Sequence, residues 1–207
     1  MSVMALPVNA AKPLSAEQSH IPPFTTHNWL PTSLIFGIPS FSTKLLPAEK
    51  PVALNFQITT ANTFVKAVNE SERLALDGEV TVALLSASWR LNEKWQLSFF
   101  APYVDHSSGV WDDLIEDWHD WFSLPQAGRD ESTNNQFSYT YQRNGKNLLD
   151  YNTETGSIGD VRFTLSRALA FDQHNFLYHI EFKAPTGKPE KITGSGAWDV
   201  STGLGWH

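Results

Sequence analysis

Two stretches of the chain alternate with period two. In FLYHIEFK, Phe176, Tyr178, Ile180 and Phe182 interleave with Leu177, His179, Glu181 and Lys183. In WDVSTGLGW, Trp198, Val200, Thr202, Leu204 and Trp206 interleave with Asp199, Ser201, Gly203 and Gly205. Side chains on a strand point to opposite faces with this period, so each stretch has one apolar, aromatic-ended face and one polar face. VALNFQITT repeats the pattern, with Val52, Leu54, Phe56 and Ile58 opposite Asn55, Gln57 and Thr59. The alternation dictates β-structure whose apolar face must be covered by something.

Further strands follow along the chain. RLALDGEVTVALLSASWRL is long for a globular strand, where about five or six residues are usual. After the turn NEK, WQLSFFAPYV runs back. FSYTYQR and KNLLDYN flank Asn-Gly, which suits a type I′ hairpin turn. GDVRFTLSRALAF, the turn DQHN and FLYHIEFKAP form another pair, and SLIFGIP adds a short early strand. ANTFVKAVNESE, TETGSI and TGKPEKITGSG read as loops. Short turns at 92–94, 144–145 and 172–175 thus alternate with longer connections at 61–72, 105–135, 152–158 and 186–195. That rhythm belongs to an up-and-down membrane barrel rather than to a Greek-key sandwich.

The predicted fold is therefore all-β, an antiparallel up-and-down transmembrane β-barrel of about eight or nine strands over residues 29–207. Residues 1–28 read as an irregular leader. MSVMALPVNAAKP lacks a basic start and has only a short apolar run, so it reads either as a secretory-signal remnant or as an irregular natural terminus.

Composition narrows the alternatives. No stretch approaches the roughly 20 apolar residues of a membrane-spanning helix, which leaves a β-barrel open. A net charge of -7 gives no electrostatic reason to expect nucleic acid as a partner. The absence of cysteine rules out disulfides and thiolate metal sites. Eight Trp and 13 Phe suit a packed core, sugar stacking or aromatic girdles. One long connection contains WDDLIEDWHDWF, where Trp111, Leu114, Ile115, Trp118, Trp121 and Phe122 cover an arc of roughly 120° at helical spacing. A short amphipathic helix is predicted over 111–122, its aromatic face packed on the barrel rim, the lumen wall or the lipid interface.

Candidate chemistry is sparse. Glu116 and His119 make a Glu-x-x-His pair, but bundle metal sites use two such motifs and further glutamates, so a solvated acidic face is the reading. Gly194-Ser195-Gly196 lacks the full nucleophile elbow, and PTGKPEK lacks phosphate-loop spacing. Gly159-Asp160 reads as the start of a strand. No catalytic residue, metal or cofactor is expected. The informative residues are Glu79, Arg162, His179, Glu181 and Lys183, all on polar strand faces. A soluble barrel would turn them outward into water; a membrane barrel would line its lumen with them, where charges set permeation. The lumen reading is preferred.

Three separated motifs carry a family likeness: HNWLPTSLIFGIPS…LLPAEKPVALNFQITTANTF, IEDWHDWFSLPQAGRD, and SIGDVRFTLSRAL…EFKAPTGKPEKITGSGAWDVSTGLGW. From about residue 27 onward the chain resembles an uncharacterised family of bacterial outer-membrane β-barrels, known as a domain of unknown function. The resemblance implies an envelope location and a barrel fold, with no activity and no catalytic residues to carry over. Family members look longer, and nine strands is an odd number where single-chain bacterial barrels have even ones. A barrel incomplete at its C-terminal end is therefore expected. The expected role is a pore for small solutes or a structural envelope component, with outer-membrane lipids as surroundings. The rivals are an outer-membrane lipid-modifying enzyme and a soluble secreted β-sandwich that binds carbohydrate through exposed Trp.

Overall fold

The computed structural model describes residues 28–36, 42, 44–130, 132–171 and 174–206. A four-residue helix, α1 (Pro31–Leu34), precedes the sheet. It occupies part of SLIFGIP, where a strand was expected; Gly37–Pro39 lie outside the described residues, as does the leader before Asn28. Pro31 supplies the reason, since proline is pre-set for the first turn of a helix.

Nine antiparallel strands form one sheet that curls into an open half-barrel. β1 (Val52–Val68) and β2 (Glu72–Arg90) pair along their whole length, from Val52 opposite Trp89 to Val68 opposite Arg73. Between them, Asn69 Oδ1 accepts the amides of Ser71 and Glu72 at 2.9 and 2.7 Å, closing a tight turn. β3 (Trp95–Ser107) covers β2 only from Glu79 to Arg90. The chain then leaves to form the helix α2 (Asp112–Trp121) and returns as β4 (Ser138–Arg143), on the remaining edge of β2, Glu72–Asp77. β4 thus continues the line of β3. β5 (Lys146–Tyr151) turns back along β4, β6 (Thr155–Ile158) joins the upper part of β3, and β7 (Val161–Phe171) joins its lower part. β8 (His174–Ala184) and β9 (Asp199–Trp206) complete the sheet. Nine strands therefore make six passes in sequence order: β1, β2, β3 with β4, β5 to β7, β8 and β9.

The connections differ from expectation in two places. Residues 61–68 continue β1, and 155–158 form β6, where loops were expected. The Asn144-Gly145 turn has φ of 50° and 73°, as type I′ requires. It sits at the same end as the 69–71 turn, since Asn144 N donates to Ser71 O at 2.7 Å. Short turns therefore occur at both ends of the sheet.

Register sorts the side chains into rows. One outer row runs Leu54, Ala87, Phe99, Phe163, Phe182, Val200 across all six passes. Adjacent outer rows hold Val52, Trp89, Leu97 and Ile180, then Phe56 and Leu85, then Ile58, Tyr103 and Ile158. Leu54 is 76% exposed and Phe56 64%. From Val52 to Ile58 this band spans about 20 Å along the strand at ~3.3 Å per residue. Above it the outer face turns polar: Thr60 with Thr81 and Asp105, then Asn62 with Glu79.

The inner face follows the opposite course. Beneath the band one row runs Ala53, Ser88, Ser98, Thr164, Glu181, Ser201, and the next contains Asn55, Ser86, Arg162, Lys183 and Asp199. Higher up, Leu76, Tyr139 and Ile192 form a buried apolar cluster with Val65, Leu74 and Leu149 around it. The sheet is thus inside-out in its lower part and conventionally packed in its upper part.

Gly78 marks the point where β3 ends and β4 takes over. Its φ is +151°, and a Cβ there would lie 2.9 Å from Phe137 Cδ2 and 3.0 Å from Ser107 O. Gly78→Val is expected to destabilise the sheet by about 1–3 kcal/mol through this crowding, measured as a lowered denaturation midpoint. An unchanged midpoint would mean that the strand junction tolerates a side chain.

Candidate functional site

The polar inner face of β7, β8 and β9 collects charge because its residues stand opposite one another in register. Lys183 is the centre. Its Nζ lies 3.5 Å from Asp160 Oδ2, also pairs with Asp199 Oδ2, and donates to Ser195 Oγ at 2.8 Å and Ile35 O at 3.3 Å. One row below, Glu181 accepts from Thr164 Oγ1 at 2.9 Å and lies 3.8 Å from Arg162 Nη1. The Arg162 guanidinium also sits 5.2 Å from the centre of the Phe100 ring. Glu181 and Asp160 are buried, Arg162 and Lys183 are largely covered and Asp199 is exposed, and each buried charge has partners, as its burial requires.

His179 occupies the row beneath and is 1% exposed. Its Nε2 lies 2.8 Å from Ser42 O and its Nδ1 2.8 Å from Ser166 Oγ. A carbonyl can only accept, so Nε2 carries the proton and donates to it, and the Ser166 hydroxyl donates to Nδ1. The pair is a Ser–His contact by composition, but Ser166 is as buried as the histidine, beneath the chain at Ser42. It fixes the position of a segment of chain.

That segment runs along the inner face. Gln96 Oε1 accepts Leu46 N at 2.8 Å, Arg90 Nη1 donates to Leu46 O, and Lys183 reaches Ile35 O. Between Trp29, Leu34 and Ile35 on one side and Gln57, Val82 and Arg162 on the other lies a cavity of about 100 Å³. It has room for a few waters or a very small solute, not for a drug-sized ligand.

Asp160 organises the loop above. Its Oδ1 accepts Gly187 N at 2.9 Å, and its Oδ2 accepts Ser195 N at 2.8 Å and Ser195 Oγ at 3.1 Å. Both ends of the 185–198 connection are thereby held at the start of β7. A Cβ on Gly194 would lie 2.4 Å from Asp160 Oδ1 and 2.6 Å from Gly187 Cα, so glycine is what lets the loop close so tightly.

Of the five sequence candidates, Arg162, His179, Glu181 and Lys183 share the inner face. Glu79 does not, and this corrects the expected grouping. It pairs with Asn62 and Ser107 on the outer face, where its Oε1 accepts the amides of Val110 and Trp111 at 3.1 and 2.8 Å, just ahead of α2. Asp160, Asp199 and Ser195 belong to the inner cluster but were not singled out. Asp199 shares the polar face of its strand with Ser201, which the alternation displays; Asp160 carries no such signal. Glu116 accepts from Asn134 Nδ2 at 3.2 Å, and no group of three or more His, Cys, Asp or Glu side chains placed to hold a metal occurs among the described residues.

A family model of proteins of unknown function, DUF3187, matches residues 1–207, the whole chain. The chain belongs to the DUF3187 family. No curated protein is significantly similar to it, and no solved structure is either. Family membership therefore brings no activity to this inner face, and the role of a DUF3187 protein has to be argued from geometry.

Proposed function

We propose that this protein is part of the wall of a bacterial outer-membrane β-barrel, a passive envelope component that encloses a polar lumen. The observation that carries the reading is the polarity inversion along β1 and β2. On β1 the outer face is apolar from Val52 to Ile58 and polar at Thr60 and Asn62. The inner face is polar from Asn55 to Thr59 and apolar at Val65, as where a strand leaves the apolar band of an outer-membrane barrel. In water the lower half would expose Leu54, Phe56, Phe163, Phe182 and Val200 in contiguous rows while burying Glu181 and Asp160 and largely covering Arg162 and Lys183. Hydrocarbon around the lower half and water above it removes that contradiction.

On this reading Arg162, His179, Glu181, Lys183 and Asp199 line the lumen side. Residues 29–36 and 44–46 lie across it and restrict passage to small solutes or close it. The saturated partners of Lys183 and Glu181 favour a structural or narrowly permeable barrel over a wide pore. A lipid-modifying activity would place its nucleophile where lipid can reach it, and Ser166 is buried beneath Ser42.

The protein is expected to fractionate with outer membranes, resist alkaline extraction, and migrate faster unheated than boiled on a denaturing gel. Quantitative recovery from the soluble periplasm without detergent would overturn the reading and favour a secreted β-sheet protein.

A further inference from the structure

The helix α2 is amphipathic, but the side carrying Asp112, Ile115, Glu116 and His119, not its aromatic side, faces the protein. Asp112 Oδ1 accepts from Asn62 Nδ2 at 2.8 Å and from Arg129 Nη1 at 3.0 Å, and its Oδ2 accepts Asn135 N at 2.8 Å. Asn134 Nδ2 donates to Asp113 Oδ1 at 2.6 Å and to Glu116 Oε2 at 3.2 Å. The opposite side is bare: Trp111, Leu114, Trp118, Trp121 and Phe122 are all exposed, Trp121 at 80%. The Trp118 and Trp121 rings lie against Phe122, at 4.5 and 5.6 Å between ring centres. The expectation that this side packs on the rim or the lumen wall is thereby corrected.

Position says what covers it. Asn62 and Glu79, which hold the start of α2, stand on the outer face two rows above Ile58, the top of the apolar band. Four residues of strand are about 13 Å, and less in height once the strand tilts. The start of α2 therefore sits on the convex side of the sheet within about one helix diameter of the band's upper edge, with its aromatic side chains exposed. Tryptophan is the residue enriched at that level of a membrane, its ring in the headgroup region and its N–H hydrated.

We propose that α2 is an interfacial anchor: Trp111, Leu114, Trp118, Trp121 and Phe122 insert among the headgroups and first methylenes of the lipid leaflet bordering the band's upper edge. The inference rests on the reading that the band itself faces hydrocarbon. The Asp112–Asn62–Arg129 network fixes the helix to the sheet, so the anchor sets the height of the sheet in the bilayer.

The chain has no cysteine, so single cysteines carrying an environment-sensitive dye report each surface separately. Phe56→Cys reports the band, Trp121→Cys the aromatic side of α2, and Asp117→Cys its exposed acidic side. The full chain is reconstituted into phosphatidylcholine vesicles with bromine placed at shallow or deep acyl positions. The expected result is that the dye at 56 is quenched best by deep bromine, the dye at 121 by shallow bromine, and the dye at 117 by neither. A quenched dye at 56 with an aqueous, unquenched dye at 121 would overturn the anchor and leave the band reading intact. An aqueous dye at 56 would remove both.

Discussion

Phe182→Arg is expected to cost about 2–4 kcal/mol of folded stability in a bilayer, the range for an arginine on the lipid face near the midplane. Phe182 stands in the outer row that runs from Leu54 to Val200, in the middle of the apolar band. The informative control is Ser201→Arg. Ser201 lies one strand away on the opposite face, directly across from Glu181, where a new guanidinium meets a carboxylate. Two arginines on neighbouring strands should therefore differ sharply, the outer one blocking assembly and the inner one tolerated. Folding yield into detergent or vesicles, followed by gel mobility with and without heating, reads the difference. If the convex face met water instead, Phe182→Arg would be neutral, since a half-exposed aromatic would be exchanged for a soluble charge.

The second large effect lies at the inner cluster. Asp160→Ala leaves Lys183 without one of its two carboxylates, removes the acceptor of Gly187 N and of Ser195 N, and takes one of its partners from Ser195 Oγ. Lys183 keeps Asp199, so the cost is that of the amides left desolvated without an acceptor, about 1–3 kcal/mol. The loop 185–198 should open first. A lowered thermal midpoint together with new proteolytic cleavage in 185–198 is the expected result. Asp160→Asn should fall between wild type and alanine, as it retains one good acceptor. Cleavage unchanged from wild type in Asp160→Ala would show that the loop is held by other contacts.

The sequence displays those parts of the fold where one face of a strand is apolar and the other is not. β2, β3, β7, β8 and β9 stand out for that reason, and Asn144-Gly145 announces its hairpin. The second half of β1 does not, because above the band Asn62 and Lys66 face outward while Ala61, Thr63 and Val65 face inward. A strand leaving an apolar surround loses the contrast that identifies it. Glu79 was misplaced for a related cause. It does lie on the polar face of β2, but the polarity inversion makes that the outer face at its height. Polar equals inner only within the band.

The helix was legible as a helix, yet its orientation was not. Asp112 draws its partners from Asn62, Arg129 and Asn135, which are remote in sequence and meet only after β1 and the 122–137 segment have folded. On the anchor reading proposed above, the apolar stripe of α2 is covered by lipid rather than by protein. The inner cluster shows the same division. Arg162, His179, Glu181 and Lys183 are visible from alternation alone, whereas Asp160 works through loop amides that only the closed 185–198 turn brings to it.

The central claim, that the convex band faces hydrocarbon, is tested most directly by a lipid-dissolved carbene probe. The protein in native outer membranes is photolabelled, and the modified residues are mapped by mass spectrometry. The account predicts label on Leu54, Phe56, Ile58, Leu85, Phe163 and Phe182, and none on Ser98, Thr164 or Glu181. Label absent from the band, or spread equally over both faces, would contradict it.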